Sequence, residues 1–265
     1  DINNNTSKGN IENAHNNTIW TIIILKDTNI LVSGSSDFKI KFWNIDTLKQ
    51  ESNEIDNKSQ VLVIIQYDNN TIIAGSHDRS INYYSIDGKD LKWKIDTDHK
   101  EYIFRFLLLK YDNNDILISG SGDSKIKIWD NKNRMIIKTL ETHTNTVDSI
   151  IQLSCDKNRL VSADRHGNII FWDINDNFKL IKFIKRSDYF TENNNNHYIM
   201  SLFELKVNKI LISTSEISTL TFWNLNNYGI IRNIKLNGGI ICLIGLENEE
   251  EIIFNINKSE IVIWK

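Results

Sequence analysis

Six segments of one pattern recur along the chain of 265 residues and align without a gap on a terminal aromatic residue. They read LVSGSSDFKIKFW ending at Trp43, IIAGSHDRSINYY ending at Tyr84, LISGSGDSKIKIW ending at Trp129, LVSADRHGNIIFW ending at Trp172, LISTSEISTLTFW ending at Trp223 and IIFNINKSEIVIW ending at Trp264. Successive aromatics are 41, 45, 43, 51 and 41 residues apart. A period of about 40 to 45 residues decides the architecture before any local reading does, because it is the length of a four-stranded unit. The long fourth step holds an insertion with the run Asn193 to Asn196, read as a solvated low-complexity loop.

Each segment reads as a hairpin: an apolar run, a turn of Gly, Ser, Asp or Asn, then an alternating run such as Ile40, Lys41, Phe42, Trp43. Another short apolar run precedes each hairpin across a polar turn, as Ile19 to Leu25 precedes Lys26 to Asn29. A fourth strand follows the aromatic, clearest at Met135 to Leu140 and Lys179 to Lys185. Helical repeats would need apolar residues at spacings of three and four over ten or more positions, whereas these runs are short, β-branched and broken by turns. Four antiparallel strands cannot bury their own apolar faces, so the units must stack on one another. The predicted fold is all-β: a β-propeller of four-stranded antiparallel blades in a single domain, residues 1–265. Six repeats are visible, forming either six blades or part of a seven-bladed or larger array.

Charge narrows the partners. Lys and Arg number 31 against 34 Asp and Glu, a net charge of −3 with the signs mixed along the chain. That balance argues for neither nucleic acid nor an anionic membrane surface. No apolar run approaches the 18 to 20 residues a membrane-spanning helix needs, and the first residues show no basic-then-apolar leader. The expected location is intracellular and cytoplasmic, with the nucleus open. A first residue of Asp1 rather than Met suits a segment of something longer. Cys155 and Cys242 stand outside any CxxC motif and read as small buried apolar residues in a reducing compartment.

Trp129 is followed by Asp130, Trp172 by Asp173 and Trp43 by Asn44. With these dipeptides and this period the sequence resembles the WD-repeat β-propeller family over nearly its whole length. The resemblance implies a hydrogen-bonded set in each blade: a His before the first strand, a Ser in the second, an Asp in the turn before the third, and the Trp. It maps onto His15, Ser33, Asp37 and Trp43, and again onto His99, Ser119, Asp123 and Trp129. The fourth repeat keeps His143, Ser162 and Trp172 but has His166 at the Asp position. The fifth has Ser213 and Trp223 with Ile217 at that position, and the second keeps Asp78 but ends in Tyr84. These histidines read as structural, since no two sit at metal-ligand spacing, and no cofactor or metal is expected.

The resemblance also implies a partner face, lined in each repeat by the residues flanking the first core position of the inner strand and by the residue before the turn Asp. Those positions collect Trp20, His77, Tyr102, Phe104, Asp148, Arg165, Tyr198, Met200 and Glu216. Aromatics with isolated charges suit a protein or peptide hot spot, because they bury much area at low entropy cost. The alternative, that several pack inside the blades, stays open, since a one-residue slip reverses a strand's faces. The predicted function is therefore a non-catalytic scaffold or adaptor that binds a protein or peptide, alternatively the substrate-recognition domain of a ubiquitin ligase or other multidomain machine. A propeller hydrolase would need clustered carboxylates or an axial cation, and only Asp148 and Glu216 fall at such positions. Arg165 is the one arginine among them, too few for reading phosphorylated motifs.

Overall fold

The computed structural model describes residues 9–51, 54–110, 114–188, 198–205, 209–215, 219–236, 240–245, 252–256 and 260–264. Regular structure among them is strand, apart from one 3-10 turn at Arg186–Asp188. The first sheet comprises β1 (Ile19–Ile24), β2 (Ile30–Ser35), β3 (Lys39–Asn44) and β4 (Lys49–Gln50), with β5 (Ile55–Asp56) also pairing with β3. The second runs β6 (Val61–Asp68), β7 (Thr71–Ser76), β8 (Ser80–Ser85), β9 (Leu91–Asp96). The third runs β10 (Ile103–Leu109), β11 (Ile116–Ser121), β12 (Ile126–Asp130), β13 (Met135–Leu140). The fourth runs β14 (Val147–Gln152), β15 (Arg159–Asp164), β16 (Ile169–Asp173), β17 (Lys179–Ile184). The fifth runs β18 (Ile199–Leu205), β19 (Ile210–Ser215), β20 (Thr219–Asn224), β21 (Ile230–Lys235). The sixth holds β22 (Ile240–Gly245), β23 (Ile252–Ile256) and β24 (Glu260–Trp264). Each sheet is a meander in chain order, and the repeat period of the aromatics is the period of the sheets. The architecture is that of β-propeller blades.

Contacts divide the chain into two units, Asp1–Leu108 with Lys132–Arg134, and Leu109–Asn131 with Met135–Lys265. In the first unit β6 packs on β1 and β2, and the apolar side chains of Val32, Ile40, Phe42, Ile64, Ile72 and Tyr84 form a common core. In the second, β18 packs on β14 and β15, burying Val161, Phe171, Ile199, Leu211 and Trp223 together. Outer strands are the exposed edge: Leu91, Met135, Ile137 and Ile231 are half-exposed or more, interspersed with lysines that discourage pairing with another chain.

Two polar ties recur between consecutive sheets. The Ile64 N–H donates to Thr21 Oγ1 at 3.2 Å, and at the corresponding place in the other unit the Leu202 N–H donates to Ser149 Oγ at 3.0 Å. Gln66 Oε1 accepts the Lys26 N–H of the preceding sheet's turn at 2.7 Å; Glu204, in the matching position, accepts the N–H groups of both Ser154 and Cys155. A side chain of one sheet thus caps the turn of the sheet before it, satisfying amides that packing would otherwise strand.

Close packing of sheets explains a glycine in the second strand of the first three sheets. A Cβ on Gly34 would meet Val61 Cγ1 at 2.5 Å and Ile64 Cδ1 at 2.9 Å, and one on Gly75 would meet Val63 and Phe106 at 2.8 and 2.9 Å. Gly34→Val therefore drives the second sheet's inner strand outward. The expected loss is about 1–3 kcal/mol, the range for overpacked cores, measured by urea denaturation.

One cysteine departs from expectation. Cys155 is exposed, because it lies in the turn after β14 rather than on a strand face, and it is a free thiol. Its sulfur nonetheless rests against Glu204, and burial there together with that carboxylate pushes the thiol up to about 11. It stays protonated at neutral pH and is a poor nucleophile. The side chain of Cys242 lies outside the described residues.

Candidate partner-binding face

The first sheet is pinned at its strand-start end by a chain of side chains. The Trp43 indole N–H donates to Ser33 Oγ at 2.8 Å, Ser33 Oγ meets His15 Nε2 at 2.7 Å, and His15 Nδ1 meets Asp37 Oδ2 at 2.9 Å. Donors and acceptors close when Ser33 donates to Nε2 and the imidazole proton sits on Nδ1 facing the carboxylate. In the third sheet Trp129 donates to Ser119 Oγ at 2.9 Å, His99 is buried, and Asp123 accepts the Lys125 N–H at 3.0 Å. In the fifth, Trp223 donates to Ser213 Oγ at 2.9 Å, while Ile217 lies outside the described residues.

The fourth sheet holds a correction. His143 Nε2 meets Ser162 Oγ at 2.7 Å and Trp172 donates to the same oxygen at 2.8 Å, but His143 Nδ1 meets Asp164 Oδ2 at 3.0 Å. Asp164 stands two residues after Ser162 on β15, and residues two apart on a strand share a face, so carboxylate and hydroxyl reach the same imidazole, whereas His166 lies in the turn beyond the strand. His166 instead meets Thr144 Oγ1 at 2.9 Å on the exposed side.

The second sheet replaces the set altogether. Asn57 is buried; its Oδ1 accepts from the Tyr84 hydroxyl at 2.8 Å and from Asn82 Nδ2 at 3.0 Å, and its Nδ2 donates to Ser76 Oγ at 2.8 Å. With Ala74 at the Ser position there is no hydroxyl for an indole, and a phenol reaches the amide instead. Asp78 accepts from Ser80 and faces Lys94, taking no part.

On these pinned ends lies the candidate face. Trp20, Asp148 and Met200 each sit where the register of an inner strand shifts, between Ile19 and Thr21, Val61 and Val63 having the same shift, then Val147 and Ser149, and Ile199 and Ser201. Such bulges insert one residue and re-aim its side chain, which exposes Trp20, whereas Leu62 and Asp148 at the same place stay buried. Trp20 is 51% exposed; its indole N–H donates to Ser36 Oγ at 2.7 Å, and Ser36 Oγ donates to Gln60 Oε1 at 2.9 Å. The His77 N–H donates to Gln60 O at 3.0 Å, and the His77 ring stacks on Tyr102 with centroids 3.6 Å apart and planes at 22°. Tyr102 lies 6.2 Å from Phe104. The first unit thus carries one strip, Trp20, Ser36, Gln60, His77, Tyr102, Phe104, half-exposed at Trp20 and partly buried beyond it. Ser36 and Gln60, which join its two aromatic ends, are polar residues that an aromatic pattern passes over.

In the second unit Asp148 is no isolated surface charge. It is 3% exposed and gripped by Arg165, Nε to Oδ2 at 2.5 Å and Nη2 to Oδ1 at 3.2 Å. Tyr198 and Met200 are half-buried at the start of β18, and Glu216 lies outside the described residues. No three His, Cys, Asp or Glu side chains converge among the described residues, and no helix there is long and apolar enough to cross a membrane.

Meander sheets repeated every forty-odd residues, with Trp–Ser–His–carboxylate chains at one end, define a repeat protein built of β-propeller blades. Residues 7–44, 107–130 and 134–173 match the family described as WD domain, G-beta repeat, and these three stretches carry its repeat. It is similar to nuclear distribution protein PAC1 of Candida tropicalis, 40% identical over 73 residues, which are 28% of this chain and 15% of that protein. It is similar to E3 ubiquitin-protein ligase COP1 of Pisum sativum, 31% identical over 136 residues, 49% of this chain and 19% of that protein. Nuclear distribution protein nudF of Aspergillus niger is 40% identical over 60 residues, 22% of this chain and 14% of that protein. The aligned stretches span less than a fifth of each relative.

Proposed function

We propose that this chain is a non-catalytic scaffold or adaptor module that holds a protein or peptide segment on the strand-start face of its first unit. The observation that carries the reading is the strip from Trp20 to Phe104. The indole N–H of Trp20 is satisfied by Ser36, which fixes the ring and leaves its face for a ligand, while His77 and Tyr102 brace each other. Rigid aromatics beside amide and hydroxyl groups are what an interface centre needs, since little side-chain entropy remains to be lost. The near-neutral charge balance favours protein over nucleic acid as partner. The free thiol of Cys155 fits an intracellular, cytoplasmic setting. The 136-residue match to an E3 ubiquitin-protein ligase favours a second reading, in which the same strip recognises substrates for a larger machine.

The test selects peptides from a random display library on the whole chain and measures their affinity for it and for the double variant Trp20→Ala, Tyr102→Ala. Loss of two aromatic hot-spot residues should weaken binding about a hundredfold with the circular dichroism spectrum unchanged. A library that yields no binder, or only binders indifferent to the double variant, removes the reading.

A further inference from the structure

Left-handed residues occupy the hairpin turns at both ends of these sheets, and the two ends treat them differently. At the end away from the strip, Lys89, Arg134, Phe178 and Tyr228 have φ between 53° and 60°. Each folds its side chain back on the protein. The Lys89 ammonium lies 4.7 Å over the Phe42 ring and the Arg134 guanidinium 4.0 Å over Trp93. Phe178 is 5% exposed, and Tyr228 packs edge-on against Phe171 at 4.8 Å. A contact accompanies, and offsets, the strain that a side chain suffers at positive φ.

At the strip end the corresponding turn residues are Phe38, φ 70°, and Arg79, φ 69°, each directly after the turn Asp. Neither folds back. Phe38 is 44% exposed, with no ring or cation contact among the described residues. Arg79 is exposed, and no carboxylate pairs with it among the described residues, whereas neighbouring cations are matched: Lys39 with Glu54, Lys58 with Asp56, Lys94 with Asp78. The third and fourth sheets place Ser124 and Gly167 at this position, small residues with little side chain to present. Among the described residues, a large aromatic and an uncompensated cation are therefore held at strained positions with no ring, cation–π or ion-pair contact to offset the strain.

The two turns are fixed to one another. The Asn57 N–H donates to Phe38 O at 2.8 Å, Asn57 Nδ2 donates to Ser76 Oγ, and the Arg79 N–H donates to Ser76 O at 3.1 Å. The same turns carry Ser36 and His77, two residues before Phe38 and Arg79, both members of the strip. Phe38 and Arg79 extend it outward.

We infer that Phe38 and Arg79 are an outer pair of specificity-determining residues, and that the segment bound there offers an apolar side chain to Phe38 and, close beside it, a carboxylate to Arg79. The inference rests on the strip being a binding site and names its ligand class: an extended peptide with an apolar residue flanked by Asp or Glu. An unpaired guanidinium favours a carboxylate, and an exposed ring favours an apolar side chain.

Library selection on the wild-type chain is repeated on Phe38→Gly, Arg79→Gly and Arg79→Glu. Glycine suits positive φ, so both glycine variants should keep or raise the melting temperature, which separates a binding loss from a folding loss. The wild-type pool should be enriched in Asp or Glu next to an apolar residue. A synthetic peptide of that consensus should bind each glycine variant about tenfold more weakly, and the Arg79→Glu pool should turn to Lys and Arg. A wild-type pool without acidic enrichment, an unchanged Arg79→Glu pool, or glycine variants that bind the peptide as well as wild type would overturn the inference. If binding in that case still collapses in the Trp20→Ala, Tyr102→Ala double variant, the inner strip stands and only the outer pair falls; if no pool is obtained, both fall.

Discussion

Asp164→Ala lowers the stability of the fourth sheet by about 3–5 kcal/mol, the expected result of removing a buried carboxylate that many donors rely on. The carboxylate is fully buried and accepts five hydrogen bonds: from His143 Nδ1, the Thr144 N–H and Asn168 Nδ2 on one oxygen, and from the N–H groups of His166 and Asn168 on the other. Alanine strands all of them in a water-free site. Native-state hydrogen exchange of the β15 and β16 amides measures the loss locally. His166→Ala, at the position the repeat pattern assigns to the carboxylate, should stay within about 0.5 kcal/mol because its ring contact is exposed. The network also sets a pH dependence. Burial alone would push Asp164 up, but His143 and the Asn168 donors outweigh it and hold the carboxyl below the usual aspartate range. A group lowered in the folded state stabilises fully above its unfolded value, near 3.9, and that contribution drains away as pH falls through the folded value. Acid opening of this sheet should therefore begin below about pH 4 and be absent from Asp164→Asn.

Asn57→Leu should cost roughly 2–4 kcal/mol by urea denaturation, since the Tyr84 hydroxyl, the Asn82 amide and Ser76 each lose a partner while buried. Tyr84→Phe placed on top of it should restore about 1 kcal/mol by removing the stranded hydroxyl, a recovery that a mere loss of packing would not give. If Asn57→Leu is neutral, the amide does not replace the imidazole of the other sheets.

What the sequence disclosed and what it hid follow one division. The period, the strand count and the terminal aromatics are local: alternation and turn residues write them into every repeat, and the sheets follow. A gap-free alignment sets His166 opposite Asp37, and only the geometry shows that Asp164, on the same face of β15 as Ser162, reaches the imidazole. Asn57 was legible in principle. His15, His99 and His143 each stand four residues before the first residue of an inner strand, and Asn57 stands four before Val61. Looking for His at that place hid an amide that makes the same kind of bridge. The bulges that re-aim Trp20, Asp148 and Met200 leave no mark on an alternating pattern, so the direction of those side chains was open until the register was seen. Asp148 shows the consequence: a carboxylate at a candidate surface position is buried under Arg165. The exposure of Phe38 at positive φ comes from the fold of its turn, which the residue type alone does not announce.

Amide hydrogen exchange of the whole chain, with and without a selected peptide, tests directly whether the strand-start face of the first unit is where partners dock. Protection confined to residues 17–21, 35–38, 59–62, 77–79 and 101–104 is the outcome expected. Protection falling instead on the opposite turns around Leu25, Ile86 and Lys89, or along the outer strands β13 and β17, would contradict it.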